Sequence, residues 1–388
     1  MRLGRRRIAA VVAAVVIFCA GALGGFSQRP DNAQAASGTG LARPASAIVA
    51  TATAQPATAG CQSPRWYRGQ LHAHTGLPTQ PVPPEQVVKW YKDNGFQFVS
   101  VTGLNSWVPP GPLQQQFGEP GRFLVVGGVE LSAEPLGVGV KIYDTLGVGI
   151  DQAVAPPATP DARPTAVLDA QAKTIRQEPG PQLVIAAHPG LTYAYQAREL
   201  VASDRRRGPR YVEIHNGEAG MNFQPGGDWP GVERIWDRAL AHRLVYGMAT
   251  DDSHHFNGGP FPADAHVAEP GRGWVVVRAC ALEWSQLLAA MERGDFYSSS
   301  GVTLLDYQAS RNGIRLQLDP TTHDLGWSVD ATNTTKYTTT FIGQGGRVLK
   351  VSTSLTPSYR FRVGDRYVRA RVVDTDGRKA WTQPVFHR

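Results

Sequence analysis

From Trp66 onward, short and mostly apolar runs alternate with stretches whose apolar residues recur at helical spacing. The runs Phe96–Val101, Phe123–Val126, Leu183–Ala187, Tyr211–Ile214, Leu244–Met248 and Trp274–Val277 predict buried strands. Between them, Glu85–Asp93, Ala166–Gln177, Val232–His242 and Glu283–Arg293 carry the helical period, and Asn94-Gly95 and Gly294 supply stops. Strands alternating with helices predict parallel βαβ units, and this number of them predicts a barrel-like closure.

After about Gly301 the helical period disappears. Tyr359–Val363 and Tyr367–Val373 alternate apolar with charged residues, the mark of half-exposed strands, and Asp376-Gly377 is a hairpin-turn signal. The reading is an α/β domain over residues 61–302 followed by a small β-sandwich over 303–388. No internal repeat is present.

The N-terminus has a different texture. Arg2, Arg5, Arg6 and Arg7 precede the apolar run Ile8–Phe18, and Ala33-Gln34-Ala35 offers a small-x-small cleavage site. That layout predicts a secretory signal peptide over residues 1–36 and an exported protein; left uncleaved, the segment would be a membrane anchor. Residues 37–60 are Ala, Thr, Pro, Ser and Gly with few large apolar groups, so they are read as a flexible linker.

This leader also explains most of the charge. The formal net charge is +7, but residues 1–35 hold five arginines against one acid, leaving +3 on the remainder. That balance is too weak for a phosphate-backbone footprint, so no nucleic-acid partner is expected. Cys61 and Cys280 are the only cysteines beyond the leader, which excludes a disulfide scaffold and leaves their pairing open.

Candidate chemistry gathers at the strand ends. His72 and His74 follow the first apolar segment, Glu130 follows Phe123–Val126, His188 ends Leu183–Ala187, and Asp252 and His254 follow the strand ending near Ala249. In a parallel barrel those ends share one face. Imidazole and carboxylate are good ligands for a borderline divalent cation, and a His-x-His pair on extended chain places both rings on one side. His215 at another strand end either positions a substrate or supports its loop; His255 is expected to point away from the site. Neither a Gly-rich phosphate loop nor a Gly-x-Ser-x-Gly nucleophile is present.

The motifs Gln70–Thr75 (QLHAHT), Gly128-Val129-Glu130, Ala187–Gly190 (AHPG) and Asp251–His254 (DDSH) resemble, in order and spacing, those of the PHP (polymerase and histidinol phosphatase) superfamily. The tail Ala380–Val385 is similar to that of its exported members, and the branch resembled is that of carbaryl-hydrolase-like metallohydrolases. The resemblance implies a distorted β/α barrel binding zinc, manganese or iron. It places His72, His74, Glu130 and Asp252 on one metal and Glu130 and His188 on a second. His254 would serve another metal or the substrate.

The sequence departs from the family pattern where Thr102–Asn105 (TGLN) replaces Thr-Asp-His-Asn and Gly76–Thr79 (GLPT) replaces Ser-Asp-Gly. A histidine expected between Gly137 and Asp144 is also missing, and Gln70 stands where Asp or Asn is common. Leu104 cannot ligate, so one or two ions are expected rather than three. The implied activity is hydrolysis of a small-molecule substrate, phosphoesters first, by metal-activated water with His188 or His254 moving protons. Alternatives are a carboxyl ester or carbamate hydrolase of the same fold, and a degenerate, non-catalytic barrel acting as an exported binding module.

Overall fold

The computed structural model describes residues 63–77, 80–133, 141–158, 163–256, 269–320 and 336–387. The segments expected to be a signal peptide and a linker lie outside these residues, as does Cys61; Cys280 is disulfide-bonded.

Seven strands make the centre: β1 (Arg65–Ala73), β2 (Phe98–Leu104), β3 (Leu124–Ala133), β4 (Tyr143–Val148), β5 (Leu183–Ala186), β6 (Tyr211–Asn216) and β7 (Tyr246–Thr250). They are hydrogen-bonded side by side in chain order. Six run the same way, while β4 is antiparallel to both of its neighbours. The strand β4 breaks the expected βαβ alternation. It escapes a periodicity reading because Asp144, Thr145 and Gly147 interrupt its apolar positions, although the whole strand is buried.

Beyond β1 on the other side lies β8 (Trp274–Ala279), antiparallel to it, then β9 (Phe296–Ser299). The two ends of the seven-strand run also meet. Ala73 bridges Ser253, His74 N donates to Ser253 O, and Asp252 N donates to His72 O, each of these two hydrogen bonds at 2.9 Å. This bridge ties the segment after β1 to the segment after β7, which places their polar residues together.

The helices are α1 (Pro84–Asp93), α2 (Pro110–Phe117), α3 (Pro164–Ile175), α4 (Ala197–Ala202), α5 (Val232–Leu240) and α6 (Trp284–Glu292). Helix α1 shows why they form where they do. Pro84 sits at the first turn, where its missing N–H costs nothing; Val87, Val88 and Tyr91 bury one face; and Gly95 ends the run at φ +76°. Each such apolar side chain contributes about 1.5–3 kcal/mol through burial. At Gly69 in β1, a Cβ would lie 2.1 Å from the Phe98 ring, so the β1–β2 contact requires glycine there.

After Gly301 no α-helix occurs among the described residues. The strands are β10 (Leu304–Ser310), β11 (Gly313–Leu318), β12 (Tyr337–Gly343), β13 (Arg347–Ser352), β14 (Ser358–Arg360), β15 (Tyr367–Asp374), β16 (Lys379–Thr382) and β17 (Val385–Phe386). Strands β10, β11 and β14 form a separate three-stranded sheet, whereas β13-β12-β15-β16 continue the central sheet through the β16–β9 pairing.

Two expectations change here. β14 stops at Arg360, leaving Val363 fully exposed. β15 is mostly buried rather than half-exposed, and its Arg369 is only 1% exposed. The charge is tolerated because Arg369 donates from Nε to Asp237 Oδ1 at 2.7 Å and from Nη2 to Oδ2 at 2.8 Å, while stacking over Trp236.

Candidate metal centre

The end of β1 carries the first ligands. His72 is the penultimate residue of the strand and His74 lies just beyond it, so the two-residue repeat puts both rings on one side; their Nε2 atoms are 3.0 Å apart. Glu130 enters from β3. It lies within that strand rather than after it, because β3 continues to Ala133 by pairing with β4. Asp252 arrives from the turn after β7 at φ +53°, a left-handed conformation uncommon outside glycine and held here by the Asp252 N to His72 O bond.

These four side chains are buried to within a few per cent and converge. His72 Nε2 and His74 Nε2 each lie 3.0 Å from Asp252 Oδ1, and they lie 3.4 and 3.1 Å from the two Glu130 oxygens. A tetrahedral cation with bonds of about 2.0–2.1 Å spaces its ligand atoms roughly 3.3–3.4 Å apart. The observed spacings therefore fit one small divalent ion after minor expansion. Among the described residues Asp252 Oδ1 is also buried with no well-aligned hydrogen bond, only the two imidazole edges beside it, the condition a cation would relieve.

His188, just past β5, places Nε2 3.0 Å from Glu130 Oε1 and 3.6 Å from Asp144 Oδ2. Glu130, Asp144 and His188 thus form a second group able to hold an ion, sharing Glu130 with the first. Asp144 reaches this end because β4 runs against its neighbours, so its first residues lie where the other strands finish. A third group joins Asp252, His254 and Glu218 nearer the surface. The His254 ring stacks on His74 at 4.2 Å, and its Nδ1 donates to Asp252 O at 2.9 Å.

Three carboxylates at this site went unnoticed in the sequence: Asp144, Glu213 and Glu218. Glu213 is the most consequential. Wholly buried in β6, it accepts from His72 Nδ1 at 2.8 Å, Thr250 Oγ1 at 2.6 Å, the His188 backbone N at 2.7 Å and Asn216 Nδ2 at 3.1 Å. Asn216 also donates to Asp252 Oδ2 at 3.0 Å. The signal was an acid in the middle of a buried strand, which is rare unless the acid is paired. His215, two residues on from Glu213, faces away from the ligands; its Nε2 donates to Arg272 O at 3.0 Å and its ring stacks on Trp381, so it supports the loop. His255 joins none of these ligand groups. Leu104 is 43% exposed.

Burial opposes charge on every group at the centre, yet His72 and His188 ionise against Glu130 and Asp252. His72 is held well above the usual imidazole range by Asp252, Glu130 and Glu213, and His188 is raised to about 10 through Glu130 and Asp144. Glu130 and Asp252 are held well below the usual carboxylate range, chiefly by His72. Burial and the neighbouring Glu130 charge push Asp144 up to about 7. Burial and the nearby His74 push His254 down to about 3. Protons on the imidazoles stand where the charge of a cation would otherwise do the neutralising.

No family model matches the chain, and no curated protein matches it. Among solved structures, it is similar to a two-domain protein containing a predicted PHP-like metal-dependent phosphoesterase from Bacteroides vulgatus ATCC 8482. That similarity is at 11% identity and TM-score 0.41, over 80% of this chain and 90% of that one. It is also similar to an endonuclease/exonuclease/phosphatase from Beutenbergia cavernae DSM 12333, at 13% identity and TM-score 0.23, over 83% of this chain and 100% of that one. Likenesses this weak leave the reading of the site to its own side chains.

Proposed function

We propose that the protein is a metal-dependent hydrolase of a small-molecule substrate, with phosphoesters as the first candidate class. The observation that carries this reading is the His72, His74, Glu130 and Asp252 quartet, spaced for one cation around a buried carboxylate oxygen with no well-aligned hydrogen bond among the described residues. When bound, a divalent cation supplies Lewis-acid activation of water and polarisation of the scissile ester.

The chain's own residues would do the rest. Glu213 orients the His72 ring, and Asn216 fixes the Asp252 carboxylate. His254, 15% exposed and donating from Nδ1, keeps Nε2 unprotonated and able to accept a hydrogen bond or proton from a water or substrate at the centre. His188 bridges Glu130 and Asp144 and is placed to hold a second ion or shuttle a proton. The motif resemblance supports a PHP-like distorted barrel, with the Ala73–Ser253 bridge as its point of closure. We read residues 303–388 as the accompanying β-sandwich and residues 1–36 as an export signal, with zinc, manganese or iron as the cation.

A second reading has one specific observation in its favour. Leu104 stands where the resembled family has a ligating histidine, so the centre would hold a structural ion in a non-catalytic binding module. Carboxyl esters and carbamates are the alternative substrates of the catalytic reading. Hydrolysis of aryl phosphates and carboxyl esters with added manganese or zinc separates these readings. Metal-dependent turnover that His74→Ala abolishes supports the hydrolase, and the class of ester turned over assigns the substrate. Metal uptake without turnover of either class supports the binding module.

A further inference from the structure

A cavity of about 240 Å³ lies between the N-terminal end of α5 and the strands β12 and β15, with Lys379 and Trp381 of β16 at its wall. It shares no residue with any of the four groups of side chains able to hold an ion among the described residues. Its charged lining is Arg234, Arg369, Arg371 and Lys379 against Glu233 and Asp237, an excess of two positive charges. At about 30 Å³ per water, the space holds roughly eight waters, enough for an oxyanion with part of a small molecule attached.

The two acids do not use up the cations. Asp237 is committed to Arg369, whose Nε and Nη2 engage both carboxylate oxygens, and it also accepts from the Tyr367 hydroxyl at 3.2 Å. Glu233 is divided between Arg369 Nη2 and Arg371 Nη1, each at 3.4 Å, the long limit of a hydrogen bond. That leaves Arg369 Nη1, on a side chain 1% exposed, and Arg371 Nε buried without partners among the described residues. The Lys379 ammonium makes no salt bridge among the described residues and lies 5.9 Å from the Trp381 ring.

The helix adds to this. Gly231 precedes α5 at φ +78° and provides no side-chain cap, so the positive end of the nine-residue helix dipole borders the cavity; Val232 N donates to Phe223 O at 3.0 Å, while the N–H groups of Glu233 and Arg234 make no such bond among the described residues. An excess of two positive charges, unpartnered guanidinium nitrogens and an open helix N-terminus select an acceptor-only dianion with several oxygens. A monocarboxylate would leave one positive charge unanswered.

We propose that this cavity is a binding site for a phosphoryl group, free or at the end of a small organic molecule, with Lys379 and Arg371 as its principal ligands and the α5 N-terminus as its backbone cradle. The anion displaces Glu233 from its long contacts with Arg371 rather than competing with the short Arg369–Asp237 pair. His215 lines the same cavity and stands two residues from Glu213 on β6, so the site adjoins the metal centre through one strand. The proposal holds whether or not that centre is catalytic.

Isothermal titration of the metal-stripped full chain with inorganic phosphate tests it. One saturable equivalent is expected, weakened about tenfold or more by Lys379→Gln and by Arg371→Gln, the loss expected for one charge-assisted hydrogen bond. Affinity within about twofold of wild type is expected for His74→Ala, which separates this site from any phosphate binding at the metal centre. Absence of saturable binding would overturn the proposal. So would affinity indifferent to both cavity variants, or affinity lost in His74→Ala alone. Titration with glycerol phosphate distinguishes the sources: tighter binding than inorganic phosphate assigns a phosphoester, and equal or weaker binding assigns the free ion. Lys379 is half-exposed and makes no salt bridge among the described residues, so Lys379→Gln is expected to fold; its thermal unfolding is the control.

Discussion

His72 Nδ1 donates to Glu213 Oε1 across 2.8 Å, and this contact decides which nitrogen of His72 faces the centre. An ionised carboxylate only accepts, so Nδ1 keeps its proton and Nε2, facing Asp252 and Glu130, is the nitrogen that would give up its proton to a cation. Glu213→Gln keeps the shape but removes one acceptor face. A fall in metal affinity of about 10–100-fold with an unchanged number of ions per chain is expected, measured by competition with a chromophoric chelator. An unaltered affinity would mean that Glu213 merely fills space.

Removing the cation should loosen the fold as well as stop any turnover. Ligand binding stabilises the native state by about 2.7 kcal/mol at a hundredfold excess over Kd, and the quartet unites the segment after β1 with the one after β7. A chelator is expected to lower Tm by several degrees, and His74→Ala is expected to remove most of that difference. A Tm that ignores both chelator and added metal in the wild type would contradict a resident ion.

His215 gives a pH signature away from the ligands. Burial, with a further contribution from Lys379, pushes its pKa down to about 4, against about 6.5 when unfolded. Below pH 6.5 the unfolded chain binds the extra proton, so the stability due to neutral His215 is present above 6.5 and is lost as pH falls toward 4. The slope is at most about 1.4 kcal/mol per pH unit, reduced because part of the ring reaches solvent. Denaturant unfolding of the wild type and His215→Gln from pH 7 to 4 should show the variant with the shallower acid loss. Parallel curves would refute the assignment.

The Arg369–Asp237 pair should behave as a buried ion pair. Arg369→Leu strands the Asp237 carboxylate and is expected to cost about 3–5 kcal/mol in urea unfolding. The double change Arg369→Leu with Asp237→Leu should recover a large part of that loss. Equal and additive losses would show that the two side chains act separately.

Much of this molecule was readable along the chain. Buried runs such as Leu183–Ala187 and amphipathic stretches such as Val232–His242 announced themselves because burial imposes a local period. The polar residues at strand ends did so because a parallel arrangement brings such ends to one face. Less visible was β4, since an antiparallel insertion among parallel strands carries no local signature. With it went the reach of β3 to Glu130 and the placing of Asp144. Arg369 looked like a solvent-facing residue because its partner, Asp237, lies 132 residues away on a helix.

The sequence by itself determined most of the alternation of strands and helices before Gly301, the loss of the helical period after it, and which six side chains have the chemistry to suit a cation. Each follows from nearest-neighbour spacing or from side-chain chemistry, which travel with the chain. Only the tertiary structure decided that Glu213 orients His72, that Asp144 joins Glu130 and His188, and that His215 turns away to Arg272 and Trp381. Those outcomes depend on which strand lies beside which and on the face each side chain takes across the sheet, and neither is set by residues close in sequence.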